Sequence, residues 1–524
     1  MGNITIEDIR NGLIQAVTRD NSSDTRLWLK RWKSLIGTTE DCQTSLGLYT
    51  NALHIAARQG NFDIAQYLLK YGFDVNSIAT GSTPLHLATK NGYEMVIRLL
   101  VDQGADMSIQ DEQNGATALH IAAQSGSRSA AKFFVTKEAK VNAIDKLKCT
   151  PLHIAALLGH EEVAAVLLDH PNISANLHNI AGETPLHLAA VQGNERIVDL
   201  LLKHGVDIDT RDSATGSTAL HRAAGSGKRD VIRLLIQRGA KANFCQISGQ
   251  GATALHLAVA SHQPQIVEEL LEGEIDPDIT DVGGSTALHL AVLFGKTEIV
   301  SLLLKKGFDI NKHVKDPGRA VPLGIALHHG NTDIVKLLLE NGANTNITGS
   351  QGETCLHGLA LLPQGLEMVE LLLEYNPDIN VQDRNRNSPL MVAAISGNAP
   401  IIQKLLENGA NYSTRDINYR TALHLAAHAG HVDAVDALLK CDVDINVEDQ
   451  EKRTPLHMAS LSGNVTVASM LLNAGAKIDA KDRDQRTPLW FAEDNRYADL
   501  VELLKGYKKS PRAPLWDWSQ CVLN

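Results

Sequence analysis

Histidine offers this chain most of its potential chemistry. There are 21 histidines, and eleven of them recur in one phase: His54, His86, His120, His153, His187, His221, His256, His289, His357, His424 and His457. Imidazoles serve as metal ligands, general bases or proton switches near neutral pH. The local clusters are His328-His329 and the trio His424, His428 and His431. His424 and His428 stand four apart and share a helix face, as zinc ligands do, but no acidic partner is placed beside them. A buried imidazole satisfied by backbone groups accounts for the recurrent set, and no metal is expected. The segment Gly225-Ser226-Gly227-Lys228-Arg229 has the look of a phosphate loop. A Walker sequence requires glycine where Arg222 stands and Ser or Thr where Arg229 stands, so the segment is assigned to structure. Six cysteines at 42, 149, 245, 355, 441 and 521 form no Cys-x-x-Cys pair, which speaks against zinc fingers and a disulfide framework. No Ser/His/Asp, Cys/His or paired-carboxylate arrangement stands out. No catalytic residue, cofactor or enzyme activity is expected.

The phase of the histidines leads to the elements that hold them. A leucine just before the histidine position recurs at 53, 85, 119, 152, 186, 220, 255, 288, 323, 356, 390, 423, 456 and 489, which makes fourteen copies about 33.5 residues apart. Two residues before it, eleven copies carry threonine, with Ser388, Asn51 and Val321 in the other three. Threonine, serine and asparagine are N-cap side chains. A proline next, as at Pro84, Pro151, Pro185 and Pro455, suits a first helical turn. Pairs such as Ala189-Ala190 let two helices approach closely. Gly92, Gly126, Gly159 and Gly193 fall where a helix ends in a left-handed residue. An apolar stripe such as Val96, Leu99 and Leu100 follows, and then a loop such as Gly104-Ala105-Asp106. Each unit therefore reads as helix, turn, helix and loop. One unit cannot bury its own apolar face, whereas stacked units bury a continuous one.

Thr83-Pro84-Leu85-His86-Leu87-Ala88 and its kin resemble the ankyrin repeat. The resemblance implies an all-α repeat solenoid of stacked helix-turn-helix units with β-hairpin-like loops. It spans roughly 48–507, about fourteen repeats. Residues 1–47 are read as a helical capping or degenerate repeat, because Leu13 to Val17 and Arg26-Leu27-Trp28-Leu29 echo its two helices. The tail, 508–524, carries Pro511 and Pro514 and no helical pattern, and is expected to be disordered. Function, by the same resemblance, is non-catalytic binding of one or more proteins, as a scaffold, adaptor or regulatory subunit using the concave face and the hairpin tips.

Composition agrees. Lys and Arg number 49 against 60 Asp and Glu, a net charge of −11, which argues against a nucleic-acid binder. No apolar run approaches the length of a membrane helix, and the polar start is unlike a signal peptide. A cytoplasmic protein, with the nucleus as a second location, is the expectation.

Three surface features could carry binding. Arg420, Arg453 and Arg486 precede the motif threonine in three consecutive repeats, 33 apart, with Arg384, Arg386 and Arg415 on nearby loops. This basic ladder would suit an acidic partner segment, although Asp416, Glu448, Asp449, Glu451, Asp482 and Asp484 lie close enough in sequence to neutralise it. Apolar residues precede the inter-helix glycine at Leu157-Leu158, Leu293-Phe294 and Leu461, and Leu361-Leu362 stand in a repeat with an extra residue. They would offer anchors in a groove or pad contacts between repeats. Finally, Cys521-Val522-Leu523-Asn524 has the Cys-aliphatic-aliphatic-X form of a prenylation signal. A membrane-tethered effector or signalling protein lipidated at Cys521 is therefore the alternative reading, and a membrane contact is expected only in that case.

Overall fold

The computed structural model describes residues 6–36, 50–248, 250–314 and 321–507. Two compact units follow one another, Met1–Val282 and Gly283–Asn524. Motif leucines 53 to 255 fall in the first unit and 288 to 489 in the second, seven repeats in each. Within each unit the described residues form paired helices and no named strand. The all-α repeat architecture expected from the sequence is what the chain adopts.

The first helix of each repeat starts where the motif says it should. Thr83, Thr150 and Thr184 take extended backbone angles, and Pro84, Pro151 and Pro185 open the helices that follow. The alanine pairs do what their size allows. Ala189 and Ala190 in Pro185–Gln192 have no exposed surface, so this helix packs directly on the first helices before and after it, Pro151–Leu158 and Ala219–Gly225. The second helix buries one stripe, as Ile197, Val198 and Leu201 do in Glu195–Lys203. Gly159, at φ +77°, ends its helix in the left-handed conformation.

Two helices precede the first motif. α1 (Ile6–Thr18) and α2 (Ser22–Ile36) pack on each other. α1 also lies on the first helix of repeat one, Thr50–Gln59, and α2 on its second helix, Phe62–Lys70. Ile9, Leu13, Leu29 and Trp32 are buried there. They cover an apolar face of repeat one that would otherwise meet water.

The structure departs from the motif reading in one place. Asn51 is not a cap, because the helix already begins at Thr50. Val321, set apart from the capping residues in the sequence, precedes its helix with no side-chain cap bond, as an aliphatic side chain must. The loops between repeats are turns, and among the described residues one β-bridge appears, Ala79 with Ser82. Neighbouring loops are tied by backbone bonds: Ile180 N–H to Leu147 (2.8 Å) and the Ile247 and Ser248 N–H groups to Thr215 (2.9 and 3.2 Å) in the first unit, Ile417 N–H to Asn385 (3.0 Å) and Arg483 N–H to Glu451 (2.8 Å) in the second.

Candidate docking surface

The recurrent histidines are fully engaged by the fold. In repeat four the Thr150 N–H donates to His153 Nδ1 at 3.1 Å, and the Thr150 hydroxyl meets the same nitrogen at 2.8 Å. His153 Nε2 lies 3.1 Å from the Glu183 carbonyl of the next repeat. An amide must donate and a carbonyl must accept, so the proton sits on Nε2 and the ring is neutral. Burial lowers the pKa of His153, His221 and His424 to about 4, against the opposing pull of the backbone carbonyls they face. Of the trio considered for zinc, His424 bridges to Arg453 and His431 Nε2 bonds the Ile395 carbonyl at 3.0 Å. Among the described residues no group of three His, Cys, Asp or Glu is placed to hold a metal ion. Gly225-Ser226-Gly227 forms the turn between Ala219–Gly225 and Arg229–Gln237.

The arginine ladder is tied to its own loops. Arg420 Nε donates to Asp416 Oδ2 at 2.8 Å, and Arg486 Nε to Asp482 Oδ2 at 2.9 Å. Arg453 Nε is 4.0 Å from Asp482, and its guanidinium lies 5.6 Å from the Phe491 ring centre. The three side chains are only 26–30% exposed, and Asp416 and Asp482 are buried. Most of the ladder's charge is thus compensated within the chain. Arg384, Arg386 and Arg415 are exposed; Arg415 reaches the Glu448 carbonyl at 3.4 Å.

The apolar candidates do face solvent. Leu157 and Leu158 end the helix Pro151–Leu158 of the first unit, 40% and 48% exposed. Leu293 and Phe294, at the end of Ala287–Leu293 in the second unit, are 43% and 41% exposed. The residue five after the motif leucine runs through the second unit as Leu293, His328, Leu361, Ile395, His428 and Leu461 in six consecutive repeats. The first five are exposed and Leu461 is half-buried. In the first unit the same phase begins Arg58, Lys90 and Gln124 before Leu157. Sequence inspection picked out the leucines of this row but missed Ile395 and the two histidines as its members. Their common offset from the motif was the available signal.

The row stands on a cross-linked base. The last carbonyls of a helix have no partner inside it. Here the next repeat supplies them. Ser396 Oγ donates to the Ala360 carbonyl (2.8 Å), Asn398 Nδ2 to Leu362 (2.8 Å), His431 to Ile395, and Asn464 Nδ2 to Ala427 and His428 (both 3.2 Å). Successive first helices, Ala287–Leu293, Pro322–His328, Cys355–Ala360, Pro389–Ser396, Ala422–Ala429 and Pro455–Leu461, pack each on the next. Cys521 lies outside the described residues. Among the described residues no helix is long and apolar enough to cross a membrane.

Comparison with known proteins places these features. The family model described as ankyrin repeats (3 copies) matches residues 13–111, 97–179, 171–244, 241–314, 323–416, 359–449, 390–482 and 423–513. Protein phosphatase 1 regulatory subunit 27 of Mus musculus is 45% identical over 56 residues, 10% of this chain and 36% of that protein. Rabankyrin-5 of Mus musculus is 27% identical over 149 residues, 26% of this chain and 10% of that protein. The chain thus spans about a third and a tenth of the lengths of these relatives. The crystal structure of the ankyrin repeat domain of Bcl-3 aligns at 33% identity, covering 43% of this chain and 99% of that one, with a TM-score of 0.40.

Proposed function

The chain belongs to the ankyrin repeat family, and we propose that it acts as a non-catalytic protein-binding scaffold or regulatory subunit that docks its partner on the row Leu293, His328, Leu361, Ile395, His428 and Leu461. One observation carries this reading: six consecutive repeats place an apolar side chain or an imidazole at the same position, and five of the six are exposed. Contiguous apolar surface on a soluble protein marks interaction sites more often than scattered leucines do. Its backbone is held by bonds between repeats, so little ordering is lost on binding. Leucine and phenylalanine anchors fit a partner segment with apolar side chains. Exposed Arg384, Arg386 and Arg415 on loops of the same unit favour an acidic flank on that segment. The name of phosphatase 1 regulatory subunit 27, similar over 56 residues, makes control of an enzyme by binding one form this role would take.

The test is quantitative capture from native cells, read by mass spectrometry, with three baits: the intact chain, Leu361→Asp/Ile395→Asp, and Arg420→Ala/Arg453→Ala/Arg486→Ala. A stoichiometric partner lost with the first variant and kept with the second supports the row. Retention by the first variant overturns it. Loss with the arginine variant alone moves the site to the ladder, and no specific partner for any bait overturns the scaffold reading.

A further inference from the structure

Repeat nine breaks the pattern at the two positions that build the imidazole bridge. Val321 stands at the threonine position and Gly324 at the histidine position. In repeats four, twelve and thirteen that ring faces two carbonyls of the following repeat. His153 meets those of Glu183 and Leu177, His424 those of Arg453 and Val447, and His457 those of Arg486 and Ala480. In each case the two acceptors stand one and seven residues before the next motif threonine. Before Thr354 those positions are Glu353 and Ile347.

A cavity of ≈ 230 Å³ lies at this place, and Gly324, Ile347, Glu353, Cys355 and Gly358 are among its walls. A Cβ on Gly324 would find its nearest neighbours at 3.8 Å, Val321 Cγ2, and 4.0 Å, Cys355 Sγ. A cavity of about 150 Å³ lined by aliphatic side chains already holds a benzene ring, so this one admits a substituted five-membered ring. Burial pushes the Cys355 thiol on its wall up to about 11. The ring whose place the cavity offers is neutral in the repeats that carry it.

We propose that the cavity opened by Gly324 between repeats nine and ten binds a small, uncharged azole, whose ring N–H donates to the Glu353 and Ile347 carbonyls as the motif imidazole does in other repeats. The ligand supplies the bridge that repeat nine does not encode, so its binding stiffens the contact between Pro322–His328 and Cys355–Ala360. The cavity shares His328 with the partner-docking row, and its occupant is a small molecule.

The test uses the full chain and two probes, 4-methylimidazole and 1,4-dimethylimidazole, at a pH where both are uncharged. Alkylation of Cys355 is followed by peptide mass spectrometry, with Cys149 as the internal control, alongside the thermal midpoint. The expected result is that 4-methylimidazole slows Cys355 labelling several-fold and raises the midpoint, leaves Cys149 unchanged, and that the N-methylated probe does neither. Gly324→His places an imidazole in the cavity from within and should abolish both effects; Gly324→Ala, which leaves most of the space open, should retain them. Equal protection by the two probes, protection that survives Gly324→His, or no protection of the wild-type chain would each overturn the proposal.

Discussion

His424 Nε2 lies 3.0 Å from the carbonyl oxygen of Arg453, 29 residues further on, while its Nδ1 accepts the Thr421 N–H at 3.2 Å. One neutral ring therefore joins two repeats, and it can do so in one protonation state only. A proton on Nδ1 would face the Thr421 amide. Burial, partly offset by the Arg453 carbonyl, lowers the pKa to about 4 from the usual 6.5. Between those values the unfolded chain binds a proton that the folded chain refuses. Stability is thus complete above about pH 6.5 and falls as the pH drops toward about 4, by roughly 1.4 kcal/mol per pH unit for each such ring. His153 and His221 add to the same slope. Urea midpoints measured across this window should decline steeply; a flat profile would contradict the bridge.

Asp482 organises its loop more than the arginine it pairs with. Its carboxylate accepts the Arg486 and Asp484 amides at 2.8 and 2.9 Å and Arg486 Nε at 2.9 Å. Burial alone would raise its pKa, but these donors and the guanidinium hold it low. Asp482→Ala leaves two amides without their acceptor and should cost about 1–3 kcal/mol, whereas Arg486→Ala removes a partly solvated group and should cost less. Denaturant titration of both variants decides; a larger loss from Arg486→Ala would reverse the assignment.

Two glycines at different motif positions should answer differently to alanine. Gly430 has φ +77°, and a Cβ there would stand 2.5 Å from Asn464 Oδ1. Gly430→Ala should destabilise by about 1–3 kcal/mol. Gly324 sits within Pro322–His328 with room for a methyl group, so Gly324→Ala should be neutral or stabilise by up to about 1 kcal/mol through helix propensity. Thermal unfolding of the two variants, compared with the parent, checks the contrast.

The contrast also marks what the sequence could convey. Caps, prolines, paired alanines and inter-helix glycines act over one or two turns of chain, so the repeat and its helices were legible. Gly430, seven residues after its motif leucine, and Gly324, one after its own, differ in phase; the approach of Asn464 from the next repeat is what the phase does not convey. The arginines were legible as a row of like charge, but their pairing with Asp416 and Asp482 depends on how each loop folds back. The Leu293–Leu461 row lay between these cases. Its phase can be counted, yet exposure follows from how the first helices stack, and Ile395 and the histidines belong to it only once their ends lie side by side.

Leu220 tests whether stability is as local as a stack of repeats requires. It is 1% exposed, in the helix Ala219–Gly225, which packs on Pro185–Gln192 and Ala254–Ala260. Leu220→Ala should cost about 2–5 kcal/mol, with the spread set by how far the neighbouring side chains collapse into the space. In a globular core that loss would be felt everywhere. Here each repeat touches only its neighbours, so the cost falls on the repeats adjoining the cavity and fades along the stack. Hydrogen exchange should quicken in repeats five, six and seven and stay near the parent rate in α1 and in Pro84–Lys90. A uniform rise across the first unit would mean that it unfolds as one cooperative block, and that the helix pairs are not its energetic units.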